Sequence, residues 1–404
     1  MTADGLPSFP FARENGYHPP SLNAKLRHEC PISKVKLYDG NQAWILTKHK
    51  HCCEALVSDR LSADRRAHGY PEIHESGKKA RDAKPMFVNL DNPEHDQQRA
   101  MLEPEFTAEA VEQKWRPRME KTIDRLLDRF IEKGRNHQPI DLVKELATPL
   151  PTHIIYEALG VPQKDVEYLS NDSEVRNSTS RNAAESANTH LHEYMADLVK
   201  AKIKEPGDDI ISRLVENYQK GNLTEDEVVT LAFLVLTAGN AALISSIGVG
   251  VLILLEHPDQ LQEFKQKPEL ASKVVIEITR YHVASALNSR RAVMKDTEIG
   301  GQKLRAGESV ICSVQAGNRD EDKFGRDAES FNIHRDVEFG DSLGFGYGPH
   351  RCQADKFSRA QLEIALTKLF QRLPHLRLAK TASELSYTPA TMNAAVTELP
   401  VYFE

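Results

Sequence analysis

Cysteine is scarce in this chain, with five residues in 404. The number is odd and the spacing is not that of a disulfide framework, which excludes the small disulfide-stapled secreted class and favours a reducing compartment. A special role for any one cysteine must therefore rest on its local sequence. The five are Cys30, Cys52, Cys53, Cys312 and Cys352.

An excess of positive charge is also lacking, because 52 Lys and Arg residues stand against 59 Asp and Glu residues, a formal net charge of −7. This balance argues against nucleic acid and anionic membrane surfaces as partners. Linker-like runs, low-complexity segments and internal repeats are missing as well. We therefore expect one large domain over residues 1–404.

Long apolar runs are few, and residues 228–255 form the stretch that is long enough to suggest a membrane span. Thr224 and Glu227 make a capping box before it, and His257-Pro258 ends it, as expected for a core helix. Prolines break the apolar start of the chain, which argues against an N-terminal anchor. We expect a soluble cytoplasmic protein with no membrane partner, and a mitochondrial form stays open.

What is present is mainly helical periodicity, over residues 107–160, 182–204 and 224–281. Residues 35–38 and 43–46 flank Asp39-Gly40 and predict a β-hairpin. Short strand-like runs recur over residues 292–310 and after residue 385. The pattern predicts a large, mainly α protein with small β-sheets.

The most informative segment is residues 345–354, with the sequence FGYGPHRCQA. Two glycines spaced by one residue let the backbone bend sharply and approach a flat ligand closely. A helical pattern runs from Phe357 towards Pro374, so Cys352 lies just before a helix N-terminus, which favours a thiolate. A thiolate is a strong axial ligand for haem iron. The alternative for a lone cysteine is a buried structural thiol, but the joint pattern favours a haem ligand.

This segment resembles the cysteine-ligand loop of the cytochrome P-450 family, Phe-Gly-x-Gly-x-His/Arg-x-Cys-x-Gly/Ala. Two further family patterns occur, Ala238-Gly239 in the long apolar helix and Glu277-x-x-Arg280. The resemblance implies the cytochrome P-450 fold, mainly α with small β-sheets, and haem b with Cys352 as its metal ligand.

The family resemblance also implies contacts to the haem propionates, which need cations or hydrogen-bond donors. His95 and Arg99 match one such pair, at a spacing that places them on one helix face. Arg291 and His350 match two more, and Phe345 is the first residue of the cysteine-ligand pattern. Without the cysteine loop, the first pair would read as ordinary solvated side chains.

A third member of the Glu277–Arg280 network is expected by the same resemblance. The family often has an arginine at the position where this chain has Ser330. Arg335 is therefore the candidate for that role.

The chemistry is indicated by residues 238–242, which read AGNAA. Oxygen-activating family members have an acid and an alcohol after Ala-Gly to deliver protons, and this chain has neither. The stretch instead resembles the fungal nitric oxide reductases of cytochrome P-450 type, whose pattern is Ala-Gly-Asn-Ala-Thr. Further matching runs are residues 7–11, 47–50, 208–212 and 281–287.

That resemblance implies an enzyme that converts two nitric oxide molecules to nitrous oxide and water with a hydride taken directly from NADH or NADPH. No separate reductase is expected, and the protein should be a monomer. Arg65 and Arg176 match positions at the NADH entrance, where a dianionic dinucleotide needs positive charge. Taken singly, each arginine would read as a solvated surface charge. Ser285 matches the serine of the proton path, while Ala242 and Asn393 stand where that path has Thr and Asp.

Several departures keep alternatives open. Asn89 replaces an Asp, Met392 an Arg, and Ala63 and Ala67 two basic residues of the NADH cluster, next to which Arg66 is a further candidate. One alternative is an oxidative tailoring enzyme, a monooxygenase or peroxide-driven cytochrome P-450 that acts on a small organic molecule. Another is a haem-based gas-binding protein without turnover.

Overall fold

The computed structural model describes residues 5–75, 77, 81, 84–135, 138–176, 181–287 and 289–403, without the side chains of residues 172–182 and 184. Residue contacts divide the chain into two compact units. The first consists of Met1–Asp96, Val249–Gln353 and Lys380–Thr397, and the second of Gln97–Gly248, Ala354–Ala379 and Glu398–Glu404. The single domain expected from the sequence stays a prediction.

Helices make up 56% of the chain, which confirms the mainly α prediction. Among the described residues, the longer helices are Ser21–Glu29, His49–Val57, Glu94–Leu102, Arg116–Lys133, Pro149–Leu159, Gln163–Arg176, Arg181–Lys204, Ile210–Gln219, Glu225–Glu256, Pro258–Gln266, Ala271–Tyr281 and Asp355–Arg372. Short helices cover Ala108–Ala110, Val314–Gly317 and Glu321–Phe324, and π-helical turns cover Val111–Trp115 and Val143–Ala147.

The strands are short and form three small sheets in the described part of the chain. They are β1 (Ile32–Lys36), β2 (Gln42–Leu46), β3 (Leu61–Ser62), β4 (Ile140–Asp141), β5 (Arg290–Val293), β6 (Thr297–Ile299), β7 (Gln302–Leu304), β8 (Ser309–Cys312), β9 (Arg377–Leu378) and β10 (Pro400–Tyr402). The sheet orders are β1-β2-β8-β5-β3, β4-β10-β9 and β6-β7.

The first unit is organised around the five-stranded sheet. Strands β1 and β2 pair antiparallel with Val35 opposite Ala43, and their turn contains Gly40 at a φ of 86°, so the predicted hairpin is confirmed. Strand β8 lies parallel to β2 and antiparallel to β5. Val35, Ile45 and Ile311 are at most 2% exposed and form the apolar core beside this sheet.

The second unit is mainly a helix bundle. The helix Arg116–Lys133 buries Ile123, Leu127 and Phe130, a spacing of four and three residues that forms one apolar stripe. It packs against the helix Asp355–Arg372. Ion pairs at 2.6 Å between these two helices, Lys368–Asp124 and Arg372–Asp128, line the edge of the contact.

The long apolar helix runs from Glu225 to Glu256, as the sequence predicts. The Thr224 hydroxyl accepts from the Glu227 N–H at 3.2 Å, and the Glu227 carboxylate accepts from the Thr224 N–H at 2.8 Å, which confirms the capping box. Among the described helices this one is apolar enough to cross a bilayer, and 56% of its apolar stretch is buried inside the protein.

A buried histidine makes the stability of the first unit depend on pH. His282 follows the helix Ala271–Tyr281, is 3% exposed, and meets the Tyr17 ring edge-on at 6.2 Å between centroids. Burial, followed by the positive charges of Arg13 and Arg319, lowers the pKa of His282 to about 3. An unfolded chain would bind this proton near pH 6.5. The stabilisation is therefore complete above pH about 6.5 and is lost as the pH falls towards 3.

We expect His282→Gln to flatten the acid side of the stability curve. Between pH 6.5 and 4 the wild-type free energy of unfolding should fall more steeply than that of the variant, by up to about 1.4 kcal/mol per pH unit. Urea titrations at several pH values measure both slopes. His375→Gln, at an exposed position, serves as the control with the wild-type slope. Equal slopes for wild type and His282→Gln would contradict this assignment.

Candidate functional site

The cysteine loop, residues 343–352, consists of two 3-10 turns, Leu343–Phe345 and Gly348–His350, followed by Cys352. Gly346 and Gly348 have φ values of 76° and 70°, a region that side chains with a Cβ enter only at a cost. The Cys352 N–H donates to the Phe345 carbonyl oxygen at 2.8 Å, which joins the two ends of the turn region. Cys352 is exposed and lies three residues before the helix Asp355–Arg372, as predicted.

Close packing fixes this loop against its neighbours in the first unit. A Cβ on Gly348 would lie 2.8 Å from Val57 Cγ1, so the turn sits directly on the end of the helix His49–Val57. The Arg351 guanidinium stacks over the Phe339 ring at 4.6 Å, and the Phe345 ring lies 5.2 Å from the same ring. The loop is therefore a preformed support for the Cys352 thiol.

A buried charge network lies behind the loop. The Arg280 guanidinium donates twice to the Glu277 carboxylate, at 2.7 Å each, and both residues are at most 1% exposed. Arg335 Nε donates to Glu277 Oε1 at 3.4 Å and is itself held by Asp327 at 2.8 Å. Arg335 is thus confirmed as the third member of the network. It contacts Glu277 from position 335, whereas the family often has its arginine at the position of Ser330.

The structure brings together two residues that are expected to contact the propionates, His95 and His350. His95 is 1% exposed, and its ring centroid lies 4.2 Å from that of His350. His95 Nδ1 lies 2.7 Å from Asp96 Oδ1, whereas its Nε2 is buried without a hydrogen-bond partner among the described residues. Arg291 is 6% exposed on β5, and Arg99 lies on the helix Glu94–Leu102 with His95.

These residues fit haem b. A buried nitrogen without a partner is costly, and a propionate oxygen is a partner that would satisfy His95 Nε2. The exposed thiol of Cys352 is the donor that haem iron takes. Cys352 would therefore ligate the iron, and His95 with His350 would bind propionate, together with Arg99 and Arg291.

The middle of the long apolar helix has an open face. Ala238 and Ala241 are exposed although most of the helix is buried, and a Cβ on Gly239 would meet no atom within 4 Å among the described residues. Ala242 is half-buried, and Asn240 is 1% exposed. The two exposed positions carry only methyl groups, and the half-buried hydroxyl of Thr237, just before them, donates to the Leu234 carbonyl oxygen at 3.3 Å.

The candidates for NADH binding differ in what surrounds them. Arg65 donates from Nε and Nη2 to the two carboxylate oxygens of Glu72, at 3.0 and 2.9 Å. Arg290 Nη1 also donates to Glu72, at 3.1 Å. Arg65 is therefore an ordered side chain rather than a solvated one. Arg176 ends the helix Gln163–Arg176, and its side chain lies outside the described residues.

The proton-path candidates in the first unit are Ser285, which is half-buried in a turn, and Asn393. The Asn393 side-chain oxygen is buried and has no hydrogen-bond partner in the described part of the chain. Its backbone oxygen accepts from the Thr388 hydroxyl at 2.7 Å. Neither the buried Glu72 nor its second partner Arg290 is indicated by the sequence, because a pair separated by 218 positions has no local pattern.

Comparison with known proteins identifies the class. The cytochrome P-450 family model matches residues 177–400. Cytochrome P-450 55A3 of Fusarium lichenicola is 42% identical over 98% of this chain and 97% of its own length. The pentalenic acid synthase of Streptomyces avermitilis is 36% identical over 98% and 96%. The crystal structure of cytochrome P-450 MoxA from Nonomuraea recticatena matches with a TM-score of 0.93 at 33% identity, covering 98% of each chain.

The chain therefore belongs to the cytochrome P-450 family, and the fold expected from the sequence is confirmed. It is an oxidoreductase of that family, whose members carry haem b. The individual site residues stay predictions.

Cys352→Ser should abolish the red-shifted Soret band of the ferrous–carbon monoxide complex, because a serine hydroxyl does not replace the thiolate that causes the shift. Absorption spectra of the purified variant with and without carbon monoxide test this. Cys30→Ser is the matched control, since Cys30 is also exposed, and it should keep the band. A red-shifted band in Cys352→Ser would refute the ligand assignment.

Proposed function

We propose that this cytochrome P-450 is a nitric oxide reductase that takes a hydride directly from NADH or NADPH. The balanced reaction is 2 NO + NADH + H⁺ → N₂O + NAD⁺ + H₂O. The observation that carries the proposal is the AGNAA segment at residues 238–242, whose open face lacks the acid and alcohol that promote O–O cleavage. The fungal relative at 42% identity over nearly the whole chain supports it.

Haem bound through Cys352 would supply the iron that holds and activates nitric oxide. The protein's part is to bind the dinucleotide and to bring protons. We assign Arg65 and Arg176 to the dinucleotide and Ser285 to proton delivery, with Ala242 and Asn393 at the positions where the family's proton path has Thr and Asp. We further propose that no separate reductase takes part and that the enzyme works as a soluble, cytoplasmic monomer.

A second candidate is an oxidative tailoring enzyme that receives electrons from a partner or uses peroxide. The bacterial relatives favour it, since one is named pentalenic acid synthase and another mycinamicin VIII C21 methyl hydroxylase, at 36% and 32% identity. One assay distinguishes the two functions. NADH oxidation in sealed, oxygen-free buffer with nitric oxide and no reductase supports direct reduction, whereas no oxidation under these conditions favours the tailoring enzyme.

Arg65→Ala should raise the KM for NADH roughly tenfold or more and leave kcat nearly unchanged, because a charge-assisted contact contributes about 1.5–3 kcal/mol. The variant should fold, since Glu72 keeps Arg290 as a partner. Initial rates of NADH oxidation with nitric oxide measure the effect. The control is Arg129→Ala, a half-exposed arginine paired with Glu167 at 2.7 Å. An unchanged KM in Arg65→Ala would remove this residue from the site.

Ser285→Val should slow nitrous oxide formation at least tenfold, because protons must reach a buried face through a hydroxyl or water. Ser285→Thr keeps the hydroxyl and should retain most of the rate. The double change Ala242→Thr with Asn393→Asp should speed the step that follows hydride transfer. Single-turnover kinetics in H₂O and D₂O separate that step. Full activity in Ser285→Val would mean that protons arrive by another route.

A further inference from the structure

The first unit contains a polar cavity that the haem candidates do not line. This cavity, the turn cleft, has a volume of about 370 Å³. Its wall includes Asp39 and Asn41 from the β1–β2 turn, His68, Tyr70 and Glu72 from the loop after β3, and Arg81. Pockets for small molecules commonly start at about 300 Å³, so the turn cleft is large enough for a small organic ligand.

The frame of the turn cleft is rigid. Gly69 and Gly307 both have positive φ values, of 86° and 88°, and a Cβ on Gly69 would lie 2.3 Å from the Gly307 carbonyl oxygen. The Ser309 hydroxyl donates to the Gly69 carbonyl oxygen at 2.6 Å. These contacts lock the loop of His68 and Tyr70 against the turn that precedes β8. A preformed cleft loses little entropy when a ligand binds.

The polar groups in the wall differ in what they offer a ligand. Glu72 is neutralised by Arg65 and Arg290, which both donate to it. Arg81 donates to the Arg66 carbonyl oxygen at 3.3 Å, which leaves most of its five N–H groups for a ligand. The Tyr70 hydroxyl makes no hydrogen bond with the part of the chain that the structure describes, and the same holds for the His68 ring.

The charges in the wall of the turn cleft disfavour a ligand that carries only an anionic group. Arg81 favours a phosphate or carboxylate through charge-assisted hydrogen bonds. The Asp39 carboxylate, which is exposed and accepts from Asn41 at 2.9 and 3.2 Å, repels one. A ligand that satisfies both must carry an anionic group and, apart from it, a hydrogen-bond donor such as an exocyclic amine. Tyr70 adds aromatic surface in the wall, where the Arg290 guanidinium lies 5.4 Å from the centroid of its ring.

We propose that the turn cleft binds an adenine nucleotide. The phosphate would lie on Arg81 with His68 beside it, the purine ring against Tyr70, and the exocyclic amine towards Asp39. Such a group can come from free AMP or from the adenylate half of NADH, and the second source rests on the proposed function. Glu72 lines the cleft and also accepts a hydrogen bond from Arg65. A nucleotide from either source would therefore lie next to Arg65, a candidate for NADH binding.

Isothermal titration of the haem-loaded, full-length protein with AMP, adenosine and inorganic phosphate tests the site. AMP should bind saturably, and adenosine and phosphate at least tenfold more weakly. Arg81→Met and Tyr70→Leu should each weaken AMP binding about tenfold, while Lys25→Met, a 64% exposed lysine on the helix Ser21–Glu29, should bind like the wild type. Lack of saturable AMP binding, or wild-type binding by both cleft variants, would overturn the proposal.

Competition distinguishes the two sources of the nucleotide. If the adenylate half of NADH occupies the cleft, AMP should inhibit competitively against NADH, and Arg81→Met should raise the NADH KM at unchanged kcat. If free AMP is the ligand, AMP should bind with the same affinity at saturating NADH. The titration needs no turnover, so it decides about the cleft even where direct NADH oxidation fails.

Discussion

The buried ion pair between Glu277 and Arg280 is the interaction on which the region behind the cysteine loop depends. Arg280 Nη1 also donates to the carbonyl oxygens of Asn318 and Ala328, at 2.7 and 2.8 Å. The Asn318 side-chain oxygen in turn accepts from the Leu343 N–H at 2.7 Å, at the start of the cysteine loop. Two hydrogen bonds through Asn318 therefore join this charge pair to the start of the cysteine loop. Removing one partner of such a pair leaves a buried charge, at a cost of about 3–5 kcal/mol.

Much of this arrangement could be predicted because its determinants are local in the sequence. The hairpin turn, the capping box of the long helix and the Gly-x-Gly spacing before Cys352 each lie within a few residues of the structure that they specify. Arg335 is a less local case, because it was predicted only from the absence of an arginine at position 330. The structure places it on Glu277.

Other features could not be predicted, since they join residues that are far apart in the chain. Glu72 and Arg290 pair across 218 positions, and nothing near Glu72 distinguishes it from the other acidic residues. The same holds for His282, which is buried beside Tyr17 although neighbouring residues give no sign of an interior position. The turn cleft forms only where two glycine turns meet. Tertiary packing, rather than pattern, creates each of them.

The open helix face restricts which groups can carry protons. Methyl groups at Ala238 and Ala241 can exclude water or border it, but they cannot exchange a proton. Asn393 offers a buried oxygen that accepts hydrogen bonds, yet an amide does not release a proton as a carboxylic acid does. A hydroxyl can accept one proton and pass on another, and Ser285 is the candidate that retains one. In the proposed reaction, the amide would therefore orient water while the serine relays, so the two side chains have separable roles.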